Sequence, residues 1–239
     1  MNKKSNILSL VLINFSILTV FLSLSVICSR TVTTLSESAP MNDRSCIVID
    51  AGHGGVDGGA TSCTGILESK INLDISIRLD ALLHLLGVNT RMIRNTDVSI
   101  YTKGESIAAK KVSDLKNRVA IVNSIPNATL VSIHQNHFSD SRYSGAQVFY
   151  AKDLISRELA EKMQTALIEN LKPTGRRRAK KADGVYLMEN IKNPGILIEC
   201  GFLSNTQEEA LLRNEQYQKK LCCVIGVTIL EFIESAHKT

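Results

Sequence analysis

The sequence predicts an α/β domain built around a largely buried sheet. From Cys46 onward, short and nearly continuous apolar runs alternate with amphipathic stretches of helical period, and three of those runs end in a residue able to bind a metal or move a proton. Length agrees with this: 239 residues, less an N-terminal segment, supply one substantial core.

Taken in order, Lys3 and Lys4 precede an apolar stretch from Ile7 to Cys28 that is long enough to cross a bilayer. Residues 1–28 read as a signal peptide or an N-terminal membrane anchor. The lysines hold their end in the cytoplasm and send the rest of the chain outside. Cleavage and retention both stay open, because Ile27 stands before Cys28 where a lipoprotein signal needs a small residue, and no small-x-small site follows. Residues 29–44 are Ser/Thr-rich and read as a linker, leaving 45–239 as the folded domain.

Strands are expected at Cys46–Asp50, Val88–Ile93, Leu130–His134, Ala146–Tyr150, Gly184–Met188 and Ile196–Glu199. The first helix begins near Ser69, repeats Ile71, Ile75, Leu79 and Leu83 on one face, and stops at Gly87. Further helices are expected at Asp114–Ser124, Ile155–Leu171 and Tyr217–Ser235. A short one opens at Thr206, where Glu209 completes a capping box.

The six cysteines fall in the leader, on apolar strands and in a helix, with Cys63 in the glycine-rich segment. They read as small buried hydrophobes rather than disulfide partners, even in an exported chain. The formal charge of +5 is local: "KPTGRRRAKK", residues 172–181, holds six basic residues and no acid. That stretch is either a solvated loop or a contact for an anionic polymer or membrane surface. Few aromatics and an export segment argue against nucleic acid.

"CIVIDAGHGGVDGGATS" places a histidine among glycines. Phosphate binding does not fit, since there is no Gly-Lys-Ser/Thr and the helix starts well after the last glycine of the cluster. The alternative lies at the strand ends: His53 follows "IVIDAG", His134 ends "LVSIH" and Glu199 ends "GILIE". In open α/β sheets, sites form at the carboxyl ends of strands. Glu68 joins them at the start of the first helix, and two histidines with one glutamate form the ligand set of a catalytic zinc. Each residue alone has a structural reading; their joint occurrence points to a site.

"IVIDAGHGGVDGGATS", "GILESKINLDISIRL", "LVSIHQN" and "ILIECGFLSN" together resemble the successive signatures of zinc-dependent N-acetylmuramoyl-L-alanine amidases of type 3, most of all the germination-specific spore-cortex members. The resemblance runs from about Cys46 to the C-terminus. It implies a twisted, mostly parallel six-stranded sheet flanked by helices, as in phosphorylase/hydrolase-like domains. It also implies one Zn2+ held by His53, Glu68 and His134, with Glu199 as the catalytic carboxylate. The implied reaction cuts the amide between N-acetylmuramic acid and L-alanine of peptidoglycan, preparing muramic-δ-lactam formation in spore cortex, with the protein exported to the forespore intermembrane space or cortex.

Other residues stand near this set without belonging to it. Asp50 and Asp57 orient a ligand ring or cap a glycine turn, and Asn136 is a candidate substrate contact. His137 lines the substrate groove or lies on the surface, Cys63 is a weaker rival ligand, and His84 and His237 are incidental. No separate wall-binding repeat or long acidic helix is evident, so an accessory protein is expected to target or activate the enzyme. Two rival functions stand beside the amidase: another cell-wall zinc hydrolase, such as a carboxypeptidase or deacetylase, and an inactive zinc-containing wall-binding protein.

Overall fold

The computed structural model describes residues 45–171 and 176–236. The leader (1–28), the linker (29–44), residues 172–175 of the basic stretch and His237 lie outside them. Among the described residues no helix is long and apolar enough to cross a membrane.

Six strands form one sheet: β1 (Cys46–Ala51), β2 (Thr90–Met92), β3 (Ala128–Asn136), β4 (Gln147–Tyr150), β5 (Lys180–Lys181) and β6 (Gly195–Phe202). Their order is β2-β1-β3-β6-β4-β5, and only the β4–β6 pairing is antiparallel. The central strands are apolar along their length because both faces are covered. Ile47, Ile49, Val131, Ile133, Ile196 and Ile198 enter one core with helices α1 (Glu68–Leu85), α3 (Leu154–Leu171) and α6 (Glu215–Ala236). Val48, Leu130 and Leu197 enter the other, beneath α2 (Ile107–Asn123) and α4 (Tyr186–Asn190). The short α5 (Thr206–Leu212) follows β6.

Four expectations are corrected. Gly184–Met188 is not a strand: Gly184 sits in a turn at φ 78°, its N–H donates to Glu189, and the chain enters α4, which buries Leu187 and Met188. The sixth strand lies earlier, at Lys180–Lys181, where paired lysines protect an exposed sheet edge from further pairing. The cap of α5 is Asn205, whose side chain accepts from the N–H groups of Gln207 and Glu208, while Glu209 turns away to accept from Ser62 and Thr64. Helix α2 starts at Ile107 under the Ser106 cap, seven residues before the expected Asp114. Cys46, Cys63, Cys200, Cys222 and Cys223 are all free thiols, and Cys63 and Cys223 are exposed rather than buried.

One buried cluster ties the two sides of the site end together. Arg118 of α2 donates to Asp50 at 2.5 Å, to Asp114 at 2.5 Å, and to the carbonyls of Ala51 and His53 at 3.0 and 2.6 Å. Asp50 also accepts from Ser132 of β3. Its two readings thus resolve in favour of structure: Asp50 anchors an arginine and makes no hydrogen bond to a histidine ring. The Arg118 and Asp50 side chains are 2% and 1% exposed, so neither has access to water as a substitute partner. Removing one member leaves an uncompensated charge. Arg118→Ala is expected to cost about 3–5 kcal/mol, read as a lower urea midpoint; a loss below 1 kcal/mol would show the pair to be dispensable.

Candidate active site

The carboxyl ends of β1, β3 and β6 bring the predicted residues together. His134 and Glu199 are register partners on adjacent strands. His53 lies just past β1, and Glu68 opens α1 after a loop that folds back over the sheet end. The ligand-capable atoms of His53, Glu68 and His134 lie within 4.8 Å of one another, a group that could hold a metal ion.

Glycine is needed here for close approach. A Cβ on Gly52 would come within 2.2 Å of the His134 ring. One on Gly59, at φ 69°, would meet Glu68 Oε2 at 2.6 Å and the His53 ring at 2.7 Å. His53 itself adopts φ 61°, a left-handed conformation that disfavours side chains with a Cβ. The Arg118 bond to its carbonyl helps fix that conformation, while Arg94 binds the carbonyls of Ala51, Gly52 and Ser69.

Each candidate ligand is oriented by neighbours. His53 Nδ1 is 2.9 Å from Asp57 Oδ2, which leaves Nε2 facing Glu68 at 3.3 Å. Asp57 therefore holds a ring, and Lys111 lies 3.1 Å from the same carboxylate. Glu68 Oε1 accepts from Asn72 at 3.2 Å and from the Gln135 N–H at 3.1 Å, and it lies 3.0 Å from His134 Nδ1. Its Oε2 accepts from the Ala60 N–H at 3.0 Å. Asn72 is in turn held by Gln135 and bonds the Gly52 carbonyl.

The electrostatics follow from these contacts. Burial would raise the Glu68 carboxyl, but the hydrogen bonds to His134 and His53 outweigh it and hold the group well below the usual carboxylate range. The bond to His53 likewise holds Asp57 low. Burial would lower His53, yet bonding to Asp57 and Glu68 raises it to about 9. A proton on this ring thus sits between two carboxylates, at the place a cation would take. Glu199 has the opposite environment: its Oε2 is buried with no hydrogen-bond partner among the described residues, and burial raises it to about 7.

The other candidates stay apart from this group. His137 is exposed beyond the end of β3, Cys63 is exposed and fixed by a backbone bond to Leu203, and Asn136 offers its carbonyl to the Leu203 N–H. His84 contacts Asp80 and Thr90 on the outside of α1. Arg94, Arg118, Asn72 and Gln135 received no role from the sequence. Asn72 and Gln135 fall within the motifs that carry the resemblance, and Arg118 has an acidic residue four positions earlier on the same helix face.

Two outcomes test this geometry. Gly52→Ala is expected to weaken binding of a divalent cation about 10- to 100-fold, read by chelator competition, with cooperative unfolding retained; unchanged affinity would show that the His134 ring has room to move. In chelator, pH acts through two raised groups. His53 favours the folded state below 6.5 and loses that contribution as pH rises through about 9, and Glu199 does the same between 4.5 and about 7. The melting temperature is therefore expected to fall from pH 5 to 9, with the upper part of the fall shallower in Asp57→Asn. A flat profile would contradict both shifts.

Comparison with known proteins agrees with this arrangement. The family profile described as N-acetylmuramoyl-L-alanine amidase matches residues 47–231. The chain is 36% identical to the germination-specific N-acetylmuramoyl-L-alanine amidase of Bacillus subtilis over 197 residues, 82% of each chain. Among solved structures, the CwlD amidase from Clostridioides difficile in complex with the GerS lipoprotein matches at a TM-score of 0.76 with 38% identity, covering 80% of this chain and 100% of that one. An N-acetylmuramoyl-L-alanine amidase from Clostridium difficile 630 matches at 0.70 with 30% identity, covering 81% and 99%. With matched profile, relatives and fold in agreement, this chain belongs to the type 3 family of N-acetylmuramoyl-L-alanine amidases.

Proposed function

We propose that this peptidoglycan amidase is a zinc enzyme of spore cortex, with His53, Glu68 and His134 as metal ligands and Glu199 as general base and acid. The observation that carries the assignment is the contrast between the two glutamates. Glu68 is held low and oriented by three backbone and amide donors between ring nitrogens, whereas Glu199 buries Oε2 with no hydrogen-bond partner among the described residues and is raised by burial to about 7.

The residues suit zinc: nitrogen and carboxylate donors, three protein ligands, and glycines at the two positions where a Cβ would fill the cradle. Bound there, the metal would supply a Lewis acid that activates water and polarises the scissile carbonyl. Asp57 keeps His53 Nδ1 engaged, so that Nε2 is the nitrogen offered to the metal. Glu199 takes the proton of the attacking water, since a carboxyl near neutrality is easily loaded and unloaded. It then delivers that proton to the departing nitrogen of L-alanine. Neither step needs a serine or cysteine nucleophile.

The cortex role draws on the germination-specific relative, and export on the basic and apolar leader, residues 1–28, followed by the linker, 29–44. Peptide removal would leave muramic acid free for a separate deacetylase to convert to the δ-lactam. Because the CwlD neighbour was solved with a lipoprotein, an accessory protein is the expected partner for activation or targeting.

Mass spectrometry of muropeptides tests the chemistry. The purified chain with zinc should release intact stem peptides that begin with L-alanine, and Glu199→Gln should lower kcat about 100- to 10,000-fold while zinc content stays at one per chain. Free D-alanine or acetate would instead indicate a carboxypeptidase or a deacetylase. Muramic δ-lactam persisting in cortex after deletion of the gene would rule out the cortex role.

A further inference from the structure

We infer that Phe138 and Tyr143 form an aromatic shelf that stacks against a sugar ring of the glycan strand beside the scissile amide. The inference deepens the functional reading above and rests on its placement of the reacting bond at His134 and Glu199.

Position is the first argument. Strands β3 and β6 run on past that pair until Asn136 partners Phe202, and the Phe138 N–H then donates to Ser204 at 3.2 Å. At about 3.3 Å rise per residue, the root of the shelf stands roughly 7–10 Å from the reacting pair. A neighbouring sugar reaches that distance, whereas the scissile amide does not.

Construction is the second argument. Both rings are 48% exposed and meet edge to face at 4.8 Å, with Tyr143 backed by Phe202 at 6.2 Å. Arg177 lies 4.8 Å over the Phe202 ring and donates to the Ser144 carbonyl. Asn205 binds the carbonyls of Ser141 and Tyr143, and Glu208 accepts from the N–H groups of Gly145 and Phe202. The rings are therefore held out by a pinned loop, and an exposed aromatic pair on a rigid rim marks a contact surface. This also gives part of the basic stretch a task, since Arg177 supports the shelf from behind.

Chemistry is the third. The face of an aromatic ring is electron-rich and prefers the slightly positive C–H groups of a pyranose face. The ring faces themselves present no hydrogen-bond donor to the amides and carboxylates of a stem peptide, and the neighbouring Arg142 guanidinium is paired with Asp140 at 2.7 Å. The sugar is the matching half of the substrate.

The test is retention of the full chain on immobilised, peptide-free glycan strands, which contain no scissile amide. Phe138→Ala/Tyr143→Ala should weaken retention about tenfold and raise KM on intact strands with kcat unchanged, whereas Tyr143→Phe should behave as wild type. Circular dichroism melting checks that the double variant is folded. Unchanged retention, or a fall in kcat at constant KM, would overturn the shelf. Because peptide-free strands cannot be cleaved, the binding result stands even if Glu199→Gln were to retain activity and the catalytic assignment failed.

Discussion

The carboxylate of Glu68 is the point at which the site end of the fold closes. It collects the N–H of Ala60 from the glycine loop, the amide of Asn72 from its own helix, the N–H of Gln135 from β3, and ring nitrogens from His53 and His134. A carboxylate has about four lone-pair sites, so the three backbone and amide donors fix its orientation and leave a lone pair directed between the two ring nitrogens. Three of the donors are backbone or amide groups that do not titrate. They keep the charge in place as the rings gain or lose protons, and they lock loop, helix and strand in register.

That orientation needs the loop to take an unfavourable course, and two buried guanidinium groups hold it there. The carbonyls of Ala51, Gly52 and His53 all accept from Arg94 or Arg118. A left-handed conformation at a residue such as His53 costs about 1–3 kcal/mol and persists only where its surroundings determine it. Asp50 and Asp114 balance the charge of Arg118, so stability and site geometry depend on the same ion cluster. This is why a residue beneath the sheet end bears on the chemistry above it.

Much of this was legible in the chain, and the boundary of legibility is physical. Strand-end polar residues after continuous apolar runs located His53, His134 and Glu199, because a sheet covered on both faces leaves few other reasons for them. The second strand and the first helix were found to within a few residues for the same reason of period. Gly184–Met188 failed because "GVYLM" is apolar enough for either state, and the Gly184 turn with its Glu189 bond decided for helix. Glu209 failed as a cap because a tertiary demand from Ser62 and Thr64 outcompeted the local one. Arg118 and Gln135 were missed because a buried polar residue is recognised by its partners, and apart from Asp114, four positions before Arg118, the deciding ones lie 63 to 68 positions away in sequence.

The two glutamates show what kind of information the fold adds. In the sequence both are single acids beside apolar residues, and nothing local separates a ligand from a base. The fold places Glu68 at a helix start, where backbone N–H groups and the helix dipole favour a carboxylate. It places Glu199 within a strand beside His134, with one oxygen shut away from every donor. Surroundings of this kind push two identical side chains to opposite ends of the carboxylate range, and titratable groups so separated divide into a fixed charge and a proton carrier. The proposed division of labour, with Glu68 holding the metal and Glu199 moving the proton, thus follows from where the backbone can and cannot supply hydrogen bonds.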